Sequence, residues 1–139
     1  MKVVLRHVGK MQFTATTESG HNIAMDASSD IGGENAGARP METVLVGLGG
    51  CSAIDVILIL KKSRQEISDC RLEIEATRGD EVPAVFRHIH LHYIVSGDQL
   101  DKKKVRRAVS LSVEKYCSVT RMLEETAEIS YSVDLQPVS

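Results

Sequence analysis

Apolar and polar side chains alternate with a period of two in several short stretches, and that alternation predicts half-buried strands. Within residues 2–26, Val3 and Leu5 mark one stretch and Phe13 and Ala15 another, with a break from His7 to Gly9. Glu18-Ser-Gly20 reads as a turn before His21-Asn-Ile-Ala-Met-Asp26, so a three-stranded antiparallel meander is expected. Farther on, Leu72, Ile74 and Ala76 share one face of residues 71–77. In residues 86–95, Ile89, Leu91, Tyr93 and Val95 face one way, and His88, His90 and His92 the other. Residues 127–135 alternate again as an edge or pairing strand.

Residues 44–60 break the alternation, because apolar side chains fall on every side of a helical projection. A helix apolar all round is expected to be buried. Pro40 suits its first turn, and Lys61, Lys62 and Arg64 suit its C-terminal end. Gly47, Gly49 and Gly50 each cost about 1 kcal/mol relative to Ala inside a helix. Their clustering predicts that another backbone, or a substrate, comes close beside Cys51. The run is at the short end of the roughly 17–25 residues that cross a bilayer. Asp55 in its middle would cost about 2.5–3.5 kcal/mol there, which favours a soluble reading.

Residues 27–39 form a long Gly/Ala/Ser-rich loop, and loops of that length tend to be functional. Residues 63–69 read as a polar connection. Asp98 or Asp101 can cap a second helix whose apolar stripe is Val105, Val109, Val113 and Tyr116. A short third helix begins at Cys117, with Ser118 or Thr120 as its cap. The order βββ-α-ββ-αα-β, with strands and helices partly segregated, gives an α+β fold in one domain, residues 1–139.

Composition narrows the function. Charged residues make up 26%, the net charge is −2 and the aromatic share is 4% with no Trp, so neither a basic field nor a stacking surface points to nucleic acid. The cations from Lys102 to Arg107 read as a solvated helix face. The N-terminus is too interrupted for a secretory h-region. Cys51, Cys70 and Cys117 are an odd, sparse set without Cys-x-x-Cys spacing, so a reducing cytoplasm is the expected location.

Four features carry candidate chemistry. His88, His90 and His92 could chelate a metal, but would need further ligands; a polar sheet face is the simpler reading. Asp55 lies one helical turn after Cys51 and shares its face. Buried, it needs a partner such as Arg, and alone it opposes a thiolate nearby. Cys51 sits beside the glycine cluster, and Cys117 lies at a helix junction whose free N–H groups can stabilise a thiolate. Together they are a candidate redox pair; Cys70 has no such setting.

Arg39-Pro-Met-Glu-Thr-Val-Leu-Val-Gly-Leu-Gly-Gly-Cys51, followed by Ser-Ala-Ile-Asp-Val56, resembles the helix signature of the OsmC/Ohr family, the osmotically inducible and organic hydroperoxide resistance proteins. Glu114-Lys-Tyr-Cys117-Ser-Val-Thr-Arg121 resembles its second cysteine motif, and the element order agrees along the whole chain. Within the family the chain looks closest to a branch of small enterobacterial proteins. The resemblance implies an OsmC-like fold with a long central helix, in an intertwined homodimer. It also implies a thiol peroxidase of the stress response, acting on organic hydroperoxides. Cys51 would be the attacking thiolate and Cys117 the resolving thiol, with a dithiol reductant such as a lipoylated protein, and no metal or organic cofactor. Glu42, Arg39 and Asp55 would support the pair.

This chain departs from the hydroperoxide-resistance branch at three places. Met41 stands where that branch has Glu directly after the helix-starting Pro, and Glu42, one residue later, points about 100° away. The N-terminal hairpin offers Lys10 rather than Arg, and Ser118 follows the second cysteine where many relatives have Pro. An alternative reading is a non-catalytic protein that holds a small apolar ligand in a dimer cleft near Cys51, favoured by Met41.

Overall fold

The computed structural model describes residues 1–137. Contacts between Cα atoms divide the chain into two compact units, Met1–Val46 and Gly47–Ser139.

In the first unit the period-two stretches form β1 (Val3–Gly9), β2 (Gln12–Thr17) and β3 (Asn22–Met25), an antiparallel meander in that order. Its apolar residues find little cover: Val3, Leu5, Val8, Phe13 and Ile23 are exposed, and Ala15 is the buried hydrophobic residue. The loop after β3 is ordered by Asp26. This buried carboxylate accepts hydrogen bonds from the backbone N–H of Ala27 (2.8 Å), Glu34 (2.8 Å) and Ala36 (3.1 Å). Those donors, above all Glu34 and Ala36, hold its carboxyl below the usual carboxylate range. Gly33 is required at its place, since a Cβ there would lie 1.7 Å from the Ala27 carbonyl oxygen.

Helix α1 (Pro40–Lys62) starts where Pro40 predicts. Glu42 reaches back to accept from the Arg39 N–H at 2.8 Å, the reciprocal half of a capping box. Along α1 the buried residues are Leu48, Gly49, Ser52, Val56 and Leu60, a single stripe at helical spacing. Val44, Val46, Ile54, Ile57 and Leu58 are exposed. The expectation of burial all round is therefore corrected: one chain offers α1 one surface to pack on, and the opposite apolar face is left open. α1 is long and apolar enough to cross a membrane, by length and composition.

In the second unit β4 (Ile67–Arg78) pairs antiparallel with β5 (Phe86–Gly97), which pairs in parallel with β6 (Glu128–Gln136). The polar connection is shorter than expected, because β4 already begins at Ile67. The parallel partner requires a crossover, supplied by α2 (Lys102–Leu111), a π-helical turn (Ser112–Tyr116) and α3 (Ser118–Leu123). Asp101 caps α2, accepting from the Lys103 N–H at 2.9 Å. The core joins Val56 and Leu60 of α1, Tyr93 and Val95 of β5, and Val105, Ala108, Val109 and Val113. Gly49 lies so close to β4 that a Cβ would sit 2.9 Å from Ile74 Cδ1, whereas Gly47 and Gly50 face open space within the chain.

Inside this core is a polar node. The hydroxyls of Ser52 and Tyr93 are 2.6 Å apart, those of Ser52 and Ser112 2.9 Å, and all three residues are buried. Burial pushes the Tyr93 phenol well above its usual range, so it stays a neutral hydrogen-bonding group.

Both networks can be tested by stability measurements. Tyr93→Phe removes one partner of a buried hydrogen bond and is expected to lower stability by about 1–2 kcal/mol, read from urea unfolding with an unchanged m-value. Because the folded pKa of Asp26 is lowered, its stabilisation is present above its unfolded value of about 3.9 and lost as pH falls through the folded value. Wild type should therefore lose thermal stability as pH falls from about 5 through the unfolded carboxylate value towards the lower folded one, and Asp26→Asn should start lower and show a flatter loss.

Candidate functional site

The π-helical turn decides which side chains face the core ahead of Cys117. Continued as an α-helix, the apolar stripe would bury Tyr116. Instead the Cys117 N–H donates to the Ser112 carbonyl, five residues back, at 2.8 Å. One extra residue in a turn rotates the next side chains by about 100°. Tyr116 swings out to 52% exposure and Cys117 swings in to 3%. The same Ser112 hydroxyl that meets Ser52 also donates to the Ser52 carbonyl at 3.0 Å, and weakly to Asp55 Oδ2 at 3.5 Å. Ser112 thus fixes the start of the turn to α1 and the end of the turn at Cys117.

This arrangement brings Cys51, Asp55 and Cys117 together. Their ligand atoms, two sulfurs and a carboxylate oxygen, all lie within 4.8 Å of one another. Cys51 and Asp55 are half-buried and Cys117 is buried, each cysteine as a free thiol. Cys117 itself caps α3: its sulfur accepts from the Thr120 N–H at 3.4 Å, a role the sequence suggested for Ser118 or Thr120. Burial pushes the Cys117 thiol up, Thr120 pulls it back towards the thiolate, and the neighbouring Cys51 raises it further. Cys70 is half-buried against the core, and its thiol is pushed up by burial and then by Asp69, as suits an inert packing residue.

Buried, Asp55 is expected to need a partner such as Arg. Among the described residues no ion pair includes it, and its polar partner is Ser112. Beside it a groove of about 440 Å³ opens between α1 and α2. Its lining mixes Leu58, Ile59, Leu111 and Tyr116 with Lys62 and Arg107. Such a groove can take an apolar chain and present cations to a negative group.

The other candidates have hydrogen-bond or ion-pair partners of their own. In the first unit, Arg39 Nη1 donates to Asn35 Oδ1 (3.3 Å) and to the Gly37 carbonyl (3.0 Å), and Lys10 pairs with Glu34 at 3.1 Å. Glu42 is engaged as the cap of α1. The three histidines share the outer face of β5 as predicted, opposite buried Leu91, Tyr93 and Val95. Their rings are spread along a polar ladder rather than converging: His88 pairs with Glu128 (3.4 Å), His90 with Ser130 (2.7 Å) and Ser132 (2.8 Å), and His92 with Ser132 (2.6 Å) and Asp134 (3.2 Å).

Sequence reasoning missed Ser52, Ser112 and Tyr93. The available signal was a serine inside an apolar helix, directly after the candidate cysteine, since a buried hydroxyl demands a partner.

The fold has counterparts among known proteins. The family profile described as OsmC-like protein matches residues 32–132. Protein YhfA of Escherichia coli K12 is 45% identical over 135 residues, 97% of this chain and 98% of that one. The crystal structure of a hypothetical protein from Aquifex aeolicus VF5 is 34% identical, covers 97% of this chain and 96% of that one, and superposes with a TM-score of 0.81. An organic hydroperoxide resistance protein OsmC from Legionella pneumophila shares the fold at 15% identity, with a TM-score of 0.72 over 96% of this chain and 97% of that one. With the profile over most of its length and close relatives over nearly all of it, this chain belongs to the OsmC-like protein family.

Proposed function

We propose that this protein is a cysteine-dependent peroxidase that reduces organic hydroperoxides through Cys51 and Cys117, in the cytoplasm, as part of a stress response. The observation that carries the reading is the approach of the two free thiols, in a family whose members include organic hydroperoxide resistance proteins. The Cys51 thiolate attacks one peroxide oxygen. An S–O bond forms, the O–O bond breaks, and the alkoxide leaves as the alcohol after taking a proton. Cys51 is now a sulfenic acid. Cys117, as thiolate, attacks that sulfur; an S–S bond forms and hydroxide leaves as water. The sulfur atoms then close to about 2.05 Å, a side-chain movement from their present separation. A dithiol reductant, such as a lipoylated protein, restores both thiols by exchange.

The burial pattern supports the roles. Cys51 is half-buried and can meet a substrate; Cys117 is buried, with its thiol pushed up, as suits a group that waits for the sulfenic acid. The groove beside Asp55 supports an organic rather than an inorganic peroxide.

We further propose a homodimer. The open face of α1, with Ile54, Ile57 and Leu58 flanked by Gly47 and Gly50, is a large apolar surface, and small residues let a facing helix come close. A three-stranded sheet that buries little of its own apolar surface also needs a partner surface.

Wild-type protein treated with an alkyl hydroperoxide should lose two thiols per chain and regain them with a dithiol. Cys117→Ser should stop at a Cys51 sulfenic acid, seen as the mass of one added oxygen. If Cys51→Ser consumes hydroperoxide as fast as wild type, the peroxidase reading fails and the groove reduces to a site for a small apolar ligand. By sedimentation the chain should run at about twice 15.2 kDa, and Ile54→Asp combined with Ile57→Asp should shift it to monomer; a wild-type monomer would refute the dimer.

A further inference from the structure

Two thiols and a carboxylate within 4.8 Å of one another are more than a redox pair requires. A disulfide needs two sulfurs. The third group, Asp55, opposes a neighbouring thiolate unless a positive charge lies between them. Among the described residues no ion pair supplies that charge. From the geometry we infer that the reduced Cys51–Asp55–Cys117 cluster is a binding site for a soft divalent cation of the zinc type. The inference rests on the same site as the proposed peroxidase but not on its activity.

The dimensions fit. Zinc binds thiolate sulfur at about 2.3 Å and carboxylate oxygen at about 2.0–2.2 Å, so two sulfurs on one ion lie no more than about 4.6 Å apart. Side-chain shifts of a fraction of an ångström to about one ångström close the present arrangement onto an ion. Cys51 and Asp55 are one turn apart on α1, where i and i+4 side chains share a face. Cys117 comes from a separate element, so the three ligands approach from two directions and leave a fourth position for water. Three protein ligands and one open position is the pattern of an exchangeable zinc site rather than a closed structural one.

The surroundings also suit a bound thiolate. The Thr120 N–H already donates to the Cys117 sulfur at 3.4 Å, and the Ser112 hydroxyl lies 3.5 Å from Asp55 Oδ2. Such outer contacts orient ligands. The buried Thr120 side chain beside Cys117 also favours the charged form of its sulfur. The donor set selects the ion: two thiolates favour zinc and its soft neighbours over magnesium or calcium. His88, His90 and His92, engaged with Ser130, Ser132, Glu128 and Asp134, do not compete for it.

Binding replaces two thiol protons by one M²⁺, releasing two H⁺. The ion is a ligand of the resting, reduced state and not a cofactor of peroxide reduction. It withholds both sulfur lone pairs from peroxide until it is displaced. Where oxidation does proceed, the balance is M(S-Cys)₂ + ROOH + 2 H⁺ → M²⁺ + Cys–S–S–Cys + ROH + H₂O, so the oxidised protein sheds its metal. Metal retention and disulfide are mutually exclusive states of one site.

The test is a Co²⁺ titration of the reduced, metal-free full-length protein without oxygen, followed by Zn²⁺ competition. One Co²⁺ per chain should give thiolate-to-cobalt charge-transfer absorption and the visible bands of four-coordinate cobalt, both bleached by Zn²⁺. Cys51→Ser and Cys117→Ser should each remove the two-thiolate signature, and Asp55→Asn should weaken Zn²⁺ binding at least tenfold. Asp55→Asn also keeps the inference testable if a cysteine variant misfolds. Wild-type protein with its thiols free but no charge-transfer band, or Zn²⁺ affinity unchanged in Cys51→Ser, would overturn the site. So would binding lost only when the three histidines are replaced. Hydroperoxide consumption by the metal-free protein is measured separately: cobalt binding without turnover refutes the peroxidase alone, and turnover without cobalt binding refutes the metal site alone.

Discussion

The hydroxyl of Ser52 is the point on which the site depends. It meets Tyr93 on β5 and Ser112 at the start of the π-helical turn, and it is the residue next to Cys51. In an apolar core each of these hydroxyls would cost about 1–3 kcal/mol if left unpaired. The network therefore tolerates few alternative placements of α1 against the crossover. That restriction sets the separation of Cys51 and Cys117, which lie 66 positions apart (117 − 51) in the sequence.

The π-helical turn is the second half of the same device. An unbroken α-helix through residues 112–116 would point Cys117 away from α1. By binding α1 with its hydroxyl and the Cys117 N–H with its carbonyl, Ser112 converts the helix register into the position of a thiol. Wide turns of this kind are found at functional sites because they re-aim a side chain without ending the helix. The thiol so placed is buried, and burial pushes it up from its ordinary range.

The surface this chain leaves exposed has as much meaning as the surface it buries. α1 spends one stripe on the core and leaves Ile54, Ile57 and Leu58 to solvent, while the apolar residues of β1 stay exposed. Apolar surface of this extent is the observation on which the proposed homodimer rests. Gly49 makes room for Ile74 of β4, whereas Gly47 and Gly50 face open space.

Local pattern was enough to determine the strands, the long helix from Pro40, the histidine face of β5 and the two cysteines worth attention, because period and turn chemistry are written in neighbouring residues. It was enough also to identify the family, through two motifs that keep their spacing. Tertiary structure alone decided the rest. Tyr116 fits the apolar stripe of α2, yet a hydrogen bond from Cys117 to Ser112 turns it outward. Asp26 looks like the end of a strand, yet three backbone N–H groups, two of them from across the loop, make it the organiser of that loop. Glu42 accepts from the Arg39 N–H, a capping contact made at the start of α1. Asp55 lies beside two sulfurs, because Cys117 arrives from a separate element that no period along the chain can locate. In each case the deciding contact joins residues whose sequence separation carries no periodic signal, and burial of a polar group is what makes the contact obligatory.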